Sequence, residues 1–362
     1  MLRLSALRIV RFTMFVAVIR MKRIIYVTDF GQSVKQKKNR IVICSGNSSR
    51  EYAVDEVSEI VIMGKGKAIT VDAIRLCIER KIPIFFAYAN GFPYAAVLPM
   101  IVTGTVKRRR AQYVAYNSPL GVEIAKKFVM GKLSNQRNLL RFWAKARAHV
   151  SPEIADKIKD AARKINDLIK ELKDVVDNSM NAYVRMKLMS IESKAADVYW
   201  SCYGLLLKKY VEFPGRVKPN ATDPVNALLN LGYGILARKV FIAILFAGLD
   251  PYAGFLHSDK SGKKSLVFDL MEEFRQQVVD RLVMKMFTKR IINPKECIEK
   301  GKLKDDVCKK VIKLFEERLE EKVTNIYGEK RTLNEHIHYQ ARHLGRVLIG
   351  TDPKYKPFIL PW

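Results

Sequence analysis

Residues Gly248–Asp280 read GLDPYAGFLHSDKSGKKSLVFDLMEEFRQQVVD, a loop punctuated by glycine and proline that leads into a helical pattern. The loop presents His257, and the helix begins after the polar segment 261–265. Apolar residues recur there at helical spacing and predict a buried stripe: Val267, Met271, Phe274 and Val278. The opposite side of the same helix carries four polar residues: Asp269, Glu272, Glu273 and Gln276. The stretch therefore predicts a core helix beside a loop that carries a histidine.

Two interpretations of this acidic side are open from the residues alone. Acidic side chains on an amphipathic helix are ordinarily solvated, and those near its start favour the helix dipole. Alternatively, carboxylates beside a histidine can bind a hard divalent cation, and an imidazole ligand favours Mn²⁺ among such ions. A further candidate is Glu192, with the small residues Ala195 and Ala196 one turn on. They leave room for its carboxylate to reach a metal ion or a phosphate, although an exposed glutamate followed by alanines is also ordinary.

Outward from this stretch, the character of the chain changes near residue 104. Residues 22–99 read as short β-branched runs separated by glycines, with one amphipathic helix over Thr70–Arg80. The strands are predicted over residues 24–28, 40–44, 51–57, 59–63 and 82–88. Long helical patterns rich in Lys, Arg, Leu, Ala and Glu follow, and they predict helices over residues 121–130, 135–148, 152–176, 182–207, 224–248, 265–287, 305–322 and 332–349. We therefore predict an α+β fold, with a small β-rich domain over residues 21–104 and a larger all-helical domain over residues 105–362. Because Met21 precedes the first predicted strand, residues 1–20 are predicted to be an upstream extension.

The charge balance points to a polyanionic partner. The chain has 65 Lys and Arg against 36 Asp and Glu, a formal net charge of +29 that is spread along its length. Such an excess favours a folded surface that contacts nucleic-acid phosphates, and the alternative is the charge-rich surface of a heat-adapted protein. Candidate phosphate contacts, each of which is equally compatible with a solvated side chain, are Lys107, Arg108, Arg109, Arg110, Lys208, Lys209 and Arg275.

Several other functional classes lose support. Five scattered cysteines without a C-x-x-C pair indicate reduced thiols in a cytoplasmic protein. The histidines at 336, 338 and 343 lack a standard zinc spacing. No phosphate-binding G-x-x-x-x-G-K-[ST] loop, dinucleotide-binding G-x-G-x-x-G or zinc-protease H-E-x-x-H motif occurs. The apolar run Met14–Ile19 is too short to span a membrane, so no membrane partner is expected.

Three motifs together resemble one known family. They are IESKAADVYW around Glu192, the run DPVNALLNLGYGILARKVFIAILFAGLDPYAGFLH that ends at His257, and SLVFDLMEEFRQQVVDRLV, which contains Asp269 and Glu272. The chain resembles CRISPR-associated protein one, the integrase and endonuclease that inserts new spacers into a CRISPR array. The resemblance extends from about Met21 to the C-terminus, and it implies a β-rich domain first and a helical catalytic domain second.

The resemblance implies that Glu192, His257 and Glu272 bind one Mg²⁺ or Mn²⁺ ion and that Asp269 supports the site. Glu273, adjacent to Glu272, is the alternative for the inward-facing carboxylate. The resemblance also implies double-stranded DNA substrates (protospacer and leader-repeat), a homodimer formed through the β-rich domains, and a small ferredoxin-like adaptation protein as partner. Competing hypotheses are a stand-alone metal-dependent nuclease that acts on branched DNA in repair, and a non-catalytic nucleic-acid-binding protein.

Overall fold

The computed structural model describes residues 23–89, 91–99, 105–217, 221–258, 260–299 and 301–362. These residues form a mixed α+β fold with a strand-rich N-terminal region and a helical C-terminal part. The chain divides into two compact units, Met1–Ile84 and Phe85–Trp362, so the division falls inside a strand, Ile84–Ala87. The domain boundary predicted at residue 104 and the extension predicted over residues 1–20 lie outside the described residues.

The N-terminal unit is built from short strands and one helix. Its elements are β1 (Arg23–Val27), β2 (Ser33–Lys37), β3 (Arg40–Ser45), β4 (Ser48–Ala53), β5 (Val57–Met63), β6 (Ala68–Ile69) and α1 (Val71–Glu79). One sheet has the order β4-β3-β2-β6, with β3 antiparallel to both neighbours and β2 parallel to β6. Strands β1 and β5 pair in parallel. The fully buried side chains Val34, Ile41, Val57 and Ile60 lie in the core of this unit.

Local sequence explains two of its boundaries. Gly46 has a φ of 55° in the two-residue turn between β3 and β4, a conformation that glycine adopts without steric cost. The Thr70 side chain accepts a hydrogen bond of 3.3 Å from the backbone N–H of Ala73 and so caps the start of α1. The helix predicted over Thr70–Arg80 is therefore present as Val71–Glu79.

The C-terminal unit carries the long helices. They are α2 (Thr105–Tyr116), α3 (Pro119–Arg147), α4 (Pro152–Glu171), α5 (Ala182–Leu207), α6 (Pro224–Phe246), α7 (Ser265–Met271), α8 (Arg281–Thr288), α9 (Asp305–Glu320) and α10 (Leu333–Leu348). Short strands accompany them: β7 (Ile84–Ala87), β8 (Pro93–Val97), β9 (Ile298–Glu299), β10 (Lys302–Leu303), β11 (Lys322–Thr324) and β12 (Lys330–Thr332). Because β9 to β12 lie within residues 105–362, this part is mainly helical and not all-helical as predicted. Helices predicted separately over 121–130 and 135–148 are one continuous helix, α3.

Helix α6 is the core helix of this unit. Within the described part of the chain it is the one helix long and apolar enough to cross a membrane by length and composition, yet 83% of that window is buried inside the protein. Its glycines allow close packing: a Cβ on Gly232 would lie 2.4 Å from Phe315 Cζ, and one on Gly234 would lie 2.7 Å from the backbone of Gly91. The apolar composition of α6 is therefore that of a buried core helix.

The helix predicted over Ser265–Phe287 is interrupted. Between α7 and α8 the backbone forms a π-helical segment, Gln276–Asp280. The polar side of this region is not solvated, because Asp269, Glu272, Glu273 and Gln276 are all at most 3% exposed. The interpretation of these acids as a solvated helix face is therefore wrong. Buried carboxylates need partners, and those partners define the candidate site.

Candidate active site

The loop before His257 is folded around the carboxylate of Asp269. Asp269 Oδ2 accepts hydrogen bonds from the backbone N–H groups of Phe255, at 2.6 Å, and Leu256, at 3.0 Å. Asp269 Oδ1 accepts one from the His257 backbone N–H at 3.0 Å and lies 2.6 Å from the ring Nδ1. A Cβ on Gly254 would lie 2.8 Å from Asp269 Oδ2, so glycine permits this approach. The carboxylate therefore fixes both the loop and the imidazole.

This contact also sets the chemistry of the His257 ring. Nδ1 faces Asp269, so Nε2 is the ring nitrogen left for a ligand. Burial alone lowers the pKa of His257, but the hydrogen bond to Asp269 and the charges of Asp269, Glu272 and Glu192 raise it above its usual value. The imidazole thus lies within electrostatic reach of both glutamates.

Two neighbouring helices hold the same loop from outside. Gln112 on α2 donates from Nε2 to the carbonyl oxygens of Asp250, at 2.9 Å, and Ala253, at 2.7 Å, and its Oε1 accepts from Asp250 N at 2.9 Å. Arg185 on α5 donates from Nε to Leu256 O at 3.0 Å. Gln112, which follows the basic run Lys107–Arg110, is therefore committed to positioning the loop.

Glu192 and Glu272 converge on one cation. Lys132 Nζ, from α3, lies 2.5 Å from Glu192 Oε1 and 2.8 Å from Glu272 Oε2. Arg275 Nε lies 3.0 Å from Glu272 Oε1. The side chains of Lys132, Glu192 and Glu272 are only 11%, 16% and 4% exposed. The two carboxylates thus flank a single cation-sized position with little access to bulk water.

The charges of this cluster are mutually stabilised. Burial alone raises the pKa of Glu272, but Arg275, Lys132 and His257 overcome it and lower the value to about 2. Burial alone lowers the pKa of Lys132, yet the charges of Glu192 and Glu272 hold it above its usual value. Glu272 and Lys132 are therefore both ionised at neutral pH.

Glu273 faces the opposite direction from Glu272. Its Oε1 accepts a hydrogen bond from Tyr355 Oη at 2.7 Å, and its Oε2 accepts from Gln340 Nε2 at 2.9 Å and from Phe358 N at 2.7 Å. Burial raises its pKa to about 8. Of the adjacent pair, Glu272 lies in the cluster with Glu192, whereas Glu273 holds residues 355–360, here called the C-terminal tail.

A pocket of about 240 Å³ opens beside Lys132 and Glu192. It is lined by Lys132, Gln136, Met189, Glu192, Ser193, Ala196, Trp200, Arg216, Tyr233, Arg275 and Gln276. Oε1 of Gln136 and Oε1 of Gln276 are buried and make no hydrogen bond with any described residue. The lining combines three cationic groups, one carboxylate, two polar amides and two aromatic rings, a composition suited to an anionic ligand such as a nucleotide.

A buried tyrosine–aspartate network lies behind the arginines of the pocket. The guanidinium carbons of Arg275 and Arg216 lie 4.8 and 5.2 Å from the ring centroid of Tyr233. Asp280, in the π-helical segment, accepts hydrogen bonds from Tyr233 Oη at 2.5 Å and from Tyr199 Oη at 3.0 Å. Burial raises the pKa of Asp280 to about 6. This network was not predicted from the sequence, although Asp280 is the last residue of the stretch Gly248–Asp280.

The predicted site residues are distributed as follows. Glu192, His257, Asp269 and Glu272 are brought together, and Arg275 joins them as the partner of Glu272. The other predicted phosphate contacts are not part of this cluster. Lys107, Arg110, Lys208 and Lys209 are exposed and Arg109 is half-buried, whereas Arg108 donates to Ala247 O at 2.9 Å and packs against Gly345.

The side chains of the cluster offer oxygen and nitrogen ligands for a metal ion. Among the described residues, no group of three or more His, Cys, Asp or Glu side chains stands ready to hold a metal ion. In the Glu192–Glu272 cluster, the Lys132 ammonium occupies the position between the carboxylates. The donor set nevertheless fits a divalent cation, because two carboxylates and an imidazole oriented by a third carboxylate are suitable ligands, and a cationic group already lies between them.

Comparisons with known proteins agree with one another. Residues 25–317 match the family described as CRISPR associated protein Cas1. The CRISPR-associated endonuclease Cas1 1 of Archaeoglobus fulgidus is 36% identical over 346 residues, which cover 93% of this chain and 99% of that protein. Among solved structures, a casposase bound to integration product is similar with a TM-score of 0.78 and 25% identity, and 93% of each chain is covered. A Cas6-RT-Cas1–Cas2 complex is similar in fold, with a TM-score of 0.74, 19% identity and coverage of 94% of this chain and 36% of that one.

Proposed function

Because the chain belongs to the Cas1 family of CRISPR-associated endonucleases and integrases, we propose that it is a divalent-metal-dependent enzyme that inserts new spacers into a CRISPR array. The observation that carries this proposal is the buried cluster of Glu192, Glu272 and the His257–Asp269 pair around one cation-sized position. Buried carboxylates require a cation beside them, and in a metal-dependent nuclease that cation is a divalent metal ion bound between the carboxylates.

Glu192, Glu272 and His257 Nε2 would hold Mg²⁺ or Mn²⁺, and Asp269 would orient the imidazole from behind. When bound, the ion supplies charge stabilisation at the phosphate oxygens and lowers the pKa of a bound nucleophile. The protein contributes the rest. Arg275 places positive charge beside Glu272, and the pocket next to the cluster would receive the substrate phosphates.

The site does not itself select the nucleophile, since water and a DNA 3′-hydroxyl can attack the same phosphodiester. Selection depends on whether a DNA end is held in line with the scissile bond, which raises its effective concentration above that of water. Joining is supported by the likeness to a casposase whose structure contains an integration product. We therefore favour integration over hydrolysis as the productive reaction.

The assembly belongs to the same proposal. The fold likeness to a complex that contains Cas1 and Cas2 supports a second, smaller protein as partner, which we take to be ferredoxin-like. We propose in addition a homodimer formed through the N-terminal strand-rich region, with double-stranded protospacer and leader-repeat DNA as substrates. The formal net charge of +29 supports binding to DNA phosphates.

One reaction tests this proposal. The full-length protein is incubated with Mn²⁺ or Mg²⁺, a short duplex with free 3′-hydroxyl ends and a supercoiled plasmid that carries a CRISPR leader and repeat, with and without the bridging partner. Covalently joined DNA is expected, and dideoxy-terminated ends or EDTA should abolish it. Cleaved but unjoined DNA in every case, including blocked ends, would replace this function with that of a repair nuclease.

A further inference from the structure

The cluster of Glu192 and Glu272 is neutralised before any metal ion enters. Lys132 Nζ contacts both carboxylates, and Arg275 contacts Glu272, so two negative groups face two positive ones. Their low exposure leaves little water to screen an added charge. A divalent ion between the glutamates would add two positive charges to a balanced cluster. Its binding is therefore opposed for as long as Lys132 stays in place.

We propose that Lys132 is a built-in counter-ion that occupies the metal position in the absence of DNA, and that it must leave this position for the metal ion to bind. The inference rests on the proposed function and adds to it the order of loading. Metal ion and DNA bind cooperatively, because DNA phosphate supplies the negative charge that the displaced ammonium then contacts.

The structure provides a destination for the displaced side chain. Lys132 lines the 240 Å³ pocket as well as contacting the two glutamates. A lysine side chain has four flexible methylene groups, so its ammonium can move into that pocket while the backbone of α3 stays fixed. In the pocket the ammonium lies beside Arg216 and Arg275, where a phosphate group would relieve the repulsion between like charges. Lys132 thus exchanges two carboxylates for a phosphate.

Cooperative loading has a reciprocal consequence. If DNA strengthens metal binding, the metal ion must strengthen DNA binding by the same factor. A protein without DNA holds the ion weakly, so its nuclease site is assembled only where a phosphate backbone is present. Lys132 is a positioning residue in this account, because it controls access of the ion to the ligands.

The test measures Mn²⁺ binding directly, from the electron paramagnetic resonance signal of free Mn²⁺, with and without a short duplex. Without DNA, the Lys132→Met protein should bind Mn²⁺ at least about tenfold more tightly than the unaltered protein, because one positive charge a few ångströms from the ion is removed. DNA should strengthen Mn²⁺ binding less in this variant than in the unaltered protein. Lys132→Arg, which keeps the charge, should bind as weakly as the unaltered protein.

The matched control is Lys126→Met, on the same helix. Lys126 is also buried but pairs with the half-exposed Glu123, at 2.7 Å, outside the cluster. Its loss should leave the affinity for Mn²⁺ unchanged. Thermal unfolding provides a second measurement. In EDTA the melting temperature of Lys132→Met should be lower than that of the unaltered protein. Added Mn²⁺ should raise the melting temperature of Lys132→Met by more than it raises that of the unaltered protein.

Different results would contradict the counter-ion role of Lys132 and the metal-dependent function. Equal or weaker Mn²⁺ binding by folded Lys132→Met protein, with normal DNA-dependent binding by the unaltered protein, overturns the counter-ion role alone. Absence of Mn²⁺ binding in every protein, with DNA present, overturns the metal-dependent function as well. Should Lys132→Met not fold in EDTA, recovery of the native circular dichroism spectrum on adding Mn²⁺, but not Na⁺, supports the counter-ion role, and failure to recover opposes it.

Discussion

Replacing Glu273 with alanine should lower stability strongly while leaving the chemistry nearly intact. The substitution removes the acceptor of three buried donors, from Tyr355, Gln340 and Phe358. Each buried donor left without an acceptor costs roughly 1–3 kcal/mol, and part of this loss is offset because a polar carboxyl group is no longer buried. We expect the free energy of unfolding to fall by about 3 kcal/mol.

Glu273→Gln separates hydrogen bonding from charge. Its carbonyl oxygen can accept from Phe358 N and Gln340, and its amide can donate to Tyr355 Oη, so stability near neutral pH should stay within about 1 kcal/mol of the unaltered protein. The pH dependence of the free energy of unfolding should differ between Glu273→Gln and the unaltered protein. Because the folded-state pKa of Glu273, about 8, lies above the ordinary 4.5, its protonation favours the folded state. That stabilisation is complete below about pH 4.5 and is lost as the pH rises towards 8, by up to about 1.4 kcal/mol per pH unit.

Urea unfolding followed by circular dichroism at several pH values measures both effects. Limited proteolysis at the C-terminal tail reports whether the tail is released in Glu273→Ala. The control is Glu317→Ala, which removes an exposed glutamate from α9 and should change stability little. If Glu273→Ala were as stable as the unaltered protein, or if it abolished activity while remaining folded, the separation of roles between Glu272 and Glu273 would be wrong.

Three further predictions concern the site and its substrate. Alanine substitution of Glu192, His257 or Glu272 should abolish joining and cleavage in a gel assay, because the proposed ligands act as one unit. DNA affinity measured in EDTA, where no metal ion is bound, should stay within about threefold of that of the unaltered protein. Asp269→Asn should weaken Mn²⁺ binding by about 10- to 100-fold, since the carboxylate orients the imidazole, and unchanged binding would contradict that role. Log DNA affinity should fall with log salt concentration by about 0.9 per phosphate contacted. Arg110→Ala should lessen that slope, whereas Arg108→Ala, which loses a contact within the protein, should lower the melting temperature instead.

The sequence predicted most of the long helices, because their amphipathic or apolar periodicity is visible. Helix α2 was not predicted, since only Gln112 and Ala115 on it are buried. Helix α5 has the predicted bounds, Ala182–Leu207. Strand β2 was missed because SVKQK has one buried apolar side chain, Val34, and no visible alternation. The π-helical segment was missed because the apolar spacing of Val267, Met271, Phe274 and Val278 continues through it. An α-helix and a π-helix differ in their backbone hydrogen bonds, which the spacing of apolar residues does not reveal.

The candidate site was only partly predictable for a different reason. Glu192, His257, Asp269 and Glu272 belong to motifs that a resemblance can identify. Lys132 precedes Glu192 by 60 residues and is one of 65 lysines and arginines, so nothing local distinguishes it. Its importance comes from α3 passing between α5 and the segment after α7, which is a property of the fold.

The C-terminal tail connects the helices of the site across a long stretch of chain. Asn135 on α3 donates to Glu273 O and Phe358 O, each at 2.8 Å, and accepts from Leu360 N, 225 residues further along the chain. Contacts of such sequence separation form late, since a large loop must close before they stabilise anything. We therefore expect Lys132, one turn before Asn135, to be fixed opposite its glutamates only after the tail has docked. A chain whose tail has not docked is then expected to lack the assembled site.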